Sequence, residues 1–265
     1  MSQTKEDTAS GKSEDLKGNE FSEIIQTAFI AIILALIIRS FLFEPFNIPS
    51  GSMKPTLLEG DYLFVSKYSY GYSQYSVPFG STLGIQGRAF ATPPKRGDMV
   101  VFKLPSDPST DYIKRLVGMP GETIQVIEGR LFIEGRRIER EFIEEVENEN
   151  SFGRPLKVYK ETLPDGVEHL IYEQSDQGPL DNTVRFEIPA GHYFMMGDNR
   201  DNSQDSRVSS LVGFVPEDNL VGRAEILFFS TNGTARIWEF WKWPWTVRYD
   251  RLLDLLKPEY GVERS

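Results

Sequence analysis

The sequence predicts a mostly β protein attached to a single membrane-spanning helix. The first observation is an apolar run that carries no formal charge from Ile24 to Ile38 and resumes after Arg39-Ser40 with Phe41, Leu42 and Phe43. The second is a succession of short apolar runs beyond Asp61, separated by charged stretches and by Gly/Pro turns such as Gly118-Met119-Pro120-Gly121. The third is size: 265 residues, 40% apolar and 26% charged, suffice for one large core or two modest ones.

Residues 1–20 are polar, mixed in charge and without apolar periodicity, which predicts a disordered cytoplasmic tail. Residues 21–43 form the anchor. About twenty helical residues cross the hydrocarbon core, and an arginine near one end reaches the headgroups. A cleaved signal peptide would show a short basic start and a small-residue cleavage site just after its apolar run. Here Arg39-Ser-Phe-Leu-Phe-Glu-Pro45 follows instead. The near-continuous apolar circumference also speaks against a buried soluble helix. Lys5, Lys12 and Lys17 precede the helix among acidic residues, so charge bias gives only weak support to a tail inside and a domain outside.

Downstream, Asp61 to Lys67 reads as a strand and Tyr68 to Lys95, rich in Tyr, Ser, Gly and Pro, as a long loop or extended hairpin. Met99 to Lys103 is a short apolar run of the kind buried on both faces. Asp111 to Val117 is the next strand. Residues 122–189 carry short strands at Ile124 to Ile127, Leu131 to Ile133 and Val184 to Ile188, and read as an inserted β subdomain. Its run Glu139 to Glu149 reads as a solvated face rather than a binding tail. Gly191 to Met196 returns to the core as a strand, the polar loop Gly197 to Arg207 follows, and Val221 to Phe229 is a further strand. The core is thus built from residues 44–121 and 190–235. In residues 236–265, Trp238, Trp241, Trp243 and Trp245 cluster with Phe240 and Tyr249, and two readings stand level: a membrane-interface belt and an aromatic core patch. Trp245 to Leu256 is expected to form a short amphipathic helix.

A net charge of −10 argues against nucleic acid as the partner, because phosphate binding needs a basic face. The absence of cysteine excludes a thiol nucleophile, a disulfide framework and cysteine-ligated zinc. His169 and His192 are the two histidines; neither lies in an H-E-x-x-H pattern, and both read as structural. A serine at work here needs a different base.

Pro49-Ser50-Gly51-Ser52-Met53-Lys54-Pro55 offers two hydroxyls around a glycine, with a proline at each end. Glycine lets backbone approach a ligand closely and proline restricts the loop, although the same composition also describes an ordinary turn. In the strand Asp111 to Val117, alternation puts Lys114 on the face of Tyr112 and Leu116 and turns Arg115 the other way. Burial disfavours the charged amine; moving a lysine from about 10.4 to near 8 takes roughly 3 kcal/mol. A neutral amine then accepts a proton from a serine hydroxyl. A surface lysine extended to water is the other fate, and these residues alone leave the two open. Other serine-enzyme patterns fail on register: S-x-x-K finds Met53 and Pro55 where lysine belongs, and G-x-S-x-G finds Ser50 where its first glycine belongs. The loop Gly197 to Arg207 lacks the central glycine and terminal glutamate of a calcium loop. Asp198, Asp201 and Asp205, interleaved with Arg200 and Arg207, suit ion pairs that hold a loop in shape.

The anchor helix, Phe43-Glu-Pro-Phe-Asn-Ile-Pro-Ser-Gly-Ser-Met-Lys-Pro-Thr-Leu57, Arg96-Gly-Asp-Met-Val-Val-Phe-Lys103, Tyr112-Ile-Lys-Arg-Leu-Val-Gly-Met-Pro-Gly121 and Gly197-Asp-Asn-Arg-Asp-Asn-Ser-Gln-Asp-Ser-Arg207 occur in the order found in bacterial type I signal peptidases. The chain resembles that family from roughly Phe41 to Phe229, with residues 122–189 as the variable insertion. The resemblance implies a membrane-anchored, antiparallel β catalytic core without metal or cofactor. It implies Ser52 as nucleophile, Lys114 as general base, Ser50 Oγ and the Ser52 N–H as oxyanion donors, and Ser203 as the residue that orients the lysine. Asp198, Asp205, Arg115 and Arg207 match the family's structural ion-pair positions. Phe46, Ile48, Met53, Leu57, Leu63, Val101 and Tyr112 would line shallow apolar pockets for the A-x-A pattern of signal peptides. The implied partners are signal peptides of preproteins and the phospholipid membrane. The implied molecule is a monomer, single-pass in the cytoplasmic (inner) membrane, with its catalytic domain on the extracytoplasmic side. Two contrasting readings are a self-cleaving repressor-type Ser-Lys protease, against which the helix and the acidic charge speak, and a catalytically inactive membrane-tethered β scaffold for secreted chains.

Overall fold

The computed structural model describes residues 6–77, 80, 82, 84, 86–147 and 155–260. The first five residues of the tail, the last two of the acidic run and the last five of the C-terminal segment lie outside the described residues. Helix α1, Glu6–Ile37, passes through one π-helical turn, Ile38–Leu42, straight into strand β1, Phe43–Asn47. Its segment Ser22–Leu42 is long and apolar enough to cross a membrane, and none of it is buried. The tail expected to be disordered is helical from Glu6 instead. A helix already nucleated by the apolar run extends at little cost per added residue, which sequence periodicity does not register.

In chain order the remaining strands are β2 Asp61–Ser66, β3 Met99–Leu104, β4 Asp107–Gly118, β5 Thr123–Ile127, β6 Arg130–Ile133, β7 Arg136–Arg137, β8 Glu139–Val146, β9 Leu156–Thr162, β10 Val167–Glu173, β11 Phe186–Glu187, β12 His192–Met196, β13 Val215–Pro216, β14 Leu220–Ser230, β15 Asp254–Leu255 and β16 Glu259–Tyr260. Three antiparallel sheets result. The main one runs β1-β2-β14-β3-β4-β12-β13, with β15 joined to β14; the insertion supplies the four-stranded sheet β11-β5-β6-β7 and three strands of a second, β16-β10-β9-β8, whose edge strand β16 comes from the C-terminal segment.

The central strand β3 shows why the main sheet forms. Met99 and Val101 point into one apolar cluster with Ile48, Met53, Leu57, Leu63 and Leu227, while Val100, Phe102 and Leu104 point into another with Leu116, Met195 and Leu220. A strand covered on both faces reads as a continuous apolar run, and its period of two divides that run between two cores. A third cluster, around Ile124, Leu131, Phe186 and Phe194, fastens the insertion to the main sheet.

Of the strands that escaped the sequence reading, β8, β9 and β10 are the longest. β8 lies within the acidic run and its side chains are mostly exposed, so the run is a solvated face carried on a strand. β9 and β10 bury Glu161, His169 and Glu173, polar side chains that break an apolar alternation. The amphipathic helix expected over Trp245 to Leu256 is absent. Its helical turn ends at Thr246, Val247 bridges to Thr231, Leu253 takes φ +64°, and Leu256 is buried in the cluster under Ser52. Sheet pairing to β14 outcompetes a helix interrupted by two β-branched residues. Trp238, Trp241 and Trp245 are 61%, 57% and 80% exposed, which removes the core-patch reading; Trp243 alone of the four packs inward, 4.9 Å from the Phe229 ring.

Candidate active site

The turn after β1 carries the two hydroxyls. Ser50 is extended, Gly51–Met53 forms a single 3-10 turn, and the Leu57 N–H closes onto the Met53 carbonyl at 2.9 Å. The turn is held from below because Met53 and Leu57 are fully buried. Asp61, also fully buried, holds it from the side. Its carboxylate accepts the Leu58 N–H at 2.8 Å, Ser230 Oγ at 2.7 Å and Arg251 Nη2 at 2.7 Å. From behind, Asn199 donates its N–H to the Ser52 carbonyl at 3.0 Å and its side-chain amide to the Gly51 carbonyl at 3.1 Å.

Gly197 makes that last approach possible. A Cβ there would strike Ser203 Oγ and stand 2.6 Å from the Ser52 carbonyl. Only a residue without a side chain lets the loop Gly197 to Arg207 pass this close behind the serine.

Lys114 on β4 reaches the turn. Its Nζ donates to Ser52 Oγ at 2.7 Å and to the Ile113 carbonyl at 3.0 Å, and lies 5.2 Å from the Tyr112 ring centre. The residue is 4% exposed, so the extended surface lysine is excluded. Burial pushes the amine down to about 8; the carboxylates of Asp205 and Asp198 pull it upward, and the Arg207 guanidinium pushes it lower. An amine and a hydroxyl at 2.7 Å, shielded from water, can pass a proton between them.

The ion pairs lie around this couple. Arg115, on the opposite face of β4, grips Asp198 through two bonds of 2.8 and 2.6 Å, and Thr56 Oγ1 donates to the same carboxylate at 2.5 Å. Arg207 grips Asp205 twice at 2.9 Å, and the Gly197 N–H donates to that carboxylate at 3.0 Å. Both pairs are desolvated and bidentate, the geometry in which an arginine fork fixes a carboxylate most firmly. Arg200 donates to both oxygens of Glu161 on β9 and thereby fixes the insertion to the same loop. His169, between Glu161 and Asp198, is kept uncharged by burial.

Other expected residues sit differently. Ser50 Oγ is 3.4 Å from Ser52 Oγ, and Ser50 is exposed. Ser203 Oγ is buried against Gly197 beside the Asp205 carboxylate, with no hydrogen-bond partner among the described residues and no bond to Lys114. Of the residues expected to line apolar pockets, Met53, Leu57 and Leu63 are fully buried, and Ile48 and Val101 are 3% and 2% exposed. They form a packed floor. Phe46 and Tyr112 are the two that keep surface open to solvent. The side chains sequence reading missed, Asn199, Asp61, Arg251 and Glu161, act through backbone carbonyls or across distant segments, and no local motif announces such contacts.

The surroundings are strand edges rather than a deep hole. β4 pairs with β3 along its length, but β12 covers it only from Arg115 to Gly118, and β1 pairs only with β2. The edge of β4 ahead of Lys114 and the outer edge of β1 are therefore unpaired among the described residues. A cleft of about 390 Å³ lined by Leu36, Glu44, Phe46, Lys103 and Asp111 lies along them.

The family described as "Signal peptidase, peptidase S26" matches residues 21–229. Signal peptidase I of Rickettsia typhi is 46% identical over 210 residues, which cover 77% of this chain and 78% of the relative. That of Rickettsia prowazekii is 46% identical over 216 residues, covering 78% and 79%. A crystal structure of a signal peptidase I from Enterococcus faecalis aligns over 50% of this chain and 97% of its own, with 25% identity and a TM-score of 0.30. With a family match over most of the chain and relatives at 46% identity, this protein belongs to the signal peptidase family, peptidase S26.

Proposed function

We propose that the protein removes N-terminal signal peptides from exported preproteins, as a membrane-bound serine endopeptidase using Ser52 and Lys114. The observation that carries this is the 2.7 Å contact between a buried lysine amine and the hydroxyl of a serine on a rigid turn. Neutral Lys114 takes the Ser52 proton as Oγ attacks the scissile carbonyl. The oxyanion is held by Ser50 Oγ and the Ser52 N–H. The lysine then protonates the departing amine and activates the water that hydrolyses the acyl-enzyme. Ser203, whose buried hydroxyl lies beside the Asp205 carboxylate and has no hydrogen-bond partner among the described residues, is the group we assign to steady the amine.

The substrate adds as an extended strand between the two unpaired edges, its backbone taking their open hydrogen-bonding groups. Because the floor beside Ser52 is filled by Met53, Leu57 and Leu63, small side chains fit and larger ones do not. Each excess methylene in such a site costs about 1–3 kcal/mol, which accounts for an A-x-A preference. The unburied span Ser22–Leu42 ends one residue before β1, so the serine works at the outer membrane surface, where exposed Trp238, Trp241 and Trp245 suit the headgroup layer.

Purified full-length protein in detergent should process a preprotein with an A-x-A site, and Ser52→Ala should lower kcat by at least about 10⁴-fold. Full processing by Ser52→Ala would overturn the assignment. For the wild type, kcat/KM should climb tenfold per pH unit below about 8 and level off above it, since the free enzyme must hold the lysine neutral. A profile flat from pH 6 to 9 contradicts the role of Lys114. In cell fractions the chain should stay in the pellet after alkaline carbonate extraction, and a chain lacking residues 1–42 should move to the supernatant.

A further inference from the structure

We propose that the inserted subdomain and the loop behind Ser52 are joined by a bound calcium ion held by Glu173, Asp181 and Asp201. The three come from separate places: the end of β10, the turn that follows it, and the loop Gly197 to Arg207. Each offers a carboxylate oxygen, and these oxygens lie within 4.8 Å of one another. Oxygens bound to one calcium at about 2.3–2.6 Å are separated by no more than roughly that distance.

An independent observation points to a ligand. Glu173 is 1% exposed; its Oε2 accepts from Arg140 Nη1 at 3.2 Å, while Oε1 is buried with no hydrogen-bond partner among the described residues. A buried carboxylate oxygen left bare is costly, and a cation supplies what no donor here does. The neighbouring oxygens are already aligned. Asp201 Oδ2 accepts the N–H groups of Gln174 and Ser175 at 2.6 and 3.0 Å, and Asp181 Oδ2 accepts the Gly178 N–H at 2.5 Å. In each of these two aspartates one oxygen is bonded to backbone, and the other accepts no hydrogen bond among the described residues.

Local charge agrees. Arg140 is divided between Glu173 and Asp176, Arg200 is committed to Glu161 and Arg207 to Asp205, so three guanidinium groups stand against six carboxylates. An all-oxygen donor set without nitrogen or sulfur selects a hard cation. Three carboxylates from three separate segments, with water completing the shell, suit calcium rather than the tight octahedron of magnesium. Asp201 also borders an open cleft of about 710 Å³ lined by Lys54, Tyr172, Asn199 and Arg248, which gives the ion a way in.

The test uses full-length protein in detergent, stripped with EDTA and titrated with calcium chloride, with magnesium chloride and sodium chloride at matched ionic strength alongside. Calcium at a hundredfold excess over its dissociation constant should raise the melting temperature by about 5–10 °C, and calorimetry should count one site. Asp201→Asn keeps an acceptor for the Gln174 and Ser175 N–H groups but removes charge and a ligand oxygen. It should abolish both responses while retaining near wild-type melting in EDTA. Glu173→Gln should do the same and keeps the proposal testable if the first variant fails to fold. No calcium response up to 10 mM, an equal response to magnesium or sodium salt, or an undiminished response in either folded variant would overturn the proposal. The readout does not involve preprotein cleavage, so it stands or falls apart from the assignment of Ser52 and Lys114.

Discussion

Lys114→Met should abolish preprotein processing and at the same time raise the melting temperature. The loss of activity follows from removing the one amine bonded to Ser52 Oγ among the described residues, and a drop in kcat of about 10⁴-fold or more is expected where nucleophile and base act as a unit. The gain in stability follows from the burial of the amine. In the unfolded chain the lysine titrates near its ordinary 10.5, in the folded chain near about 8. Between those values the unfolded state binds more protons, so stability rises with pH through that window and the penalty is complete below it. A displacement of this size corresponds to about 3 kcal/mol at neutral pH, from which the loss of the lysine's hydrogen bonds takes back about 1 kcal/mol. Methionine fills similar space without charge, so melting at pH 7 should rise by roughly 4–8 °C. The difference between variant and wild type should shrink between pH 8 and 10.5. A variant that melts below wild type at pH 7 would show that burial does not penalise the charged amine, contrary to the lowered pKa assigned to it.

Asp198→Ala should be the most damaging single change outside the dyad. It strips Arg115 of both bonds to its carboxylate partner while leaving the guanidinium buried at 4% exposure, and it also deprives Thr56 of its acceptor. Breaking a buried pair from one side costs about 3–5 kcal/mol, which for a chain of this size lowers melting by roughly 6–20 °C. The double change Arg115→Met, Asp198→Leu should recover most of that loss, since the expense lies in the orphaned charge rather than in the missing attraction. A purely structural role would leave the pH profile of any surviving activity in place. Here Asp198 also draws the Lys114 amine upward, so its removal should shift the acid limb below 8. An unchanged limb together with unchanged melting would remove Asp198 from both roles.

Most of this arrangement was legible because its parts are local. The apolar run of α1, the two-faced burial of β3 and the alternation around Lys114 each depend on neighbours within a few residues. The resemblance then added the roles of Ser50, Ser52 and Ser203. What stayed hidden is long-range. Glu161 and His169 interrupt the apolar alternation of β9 and β10, and only the fold brings Arg200 and Asp198 opposite them. Arg251 looks like an ordinary surface cation, yet it ends on Asp61, 190 positions away. The apolar residues near Ser52 were recognised as a group, but whether they face a cavity or fill one is a matter of packing density that composition does not encode.

The passage from α1 to β1 has a mechanical consequence. β1 begins at the residue after the π-helical turn, and its last residue is three positions short of Ser50. With no flexible spacer between them, any tilt of the helix in a lipid bilayer rotates the sheet edge with it. On the membrane placement proposed above, the height of Ser52 over the lipid is a built-in dimension rather than the average of a floppy leash, and the chain carries its own gauge for where a proposed substrate is cut.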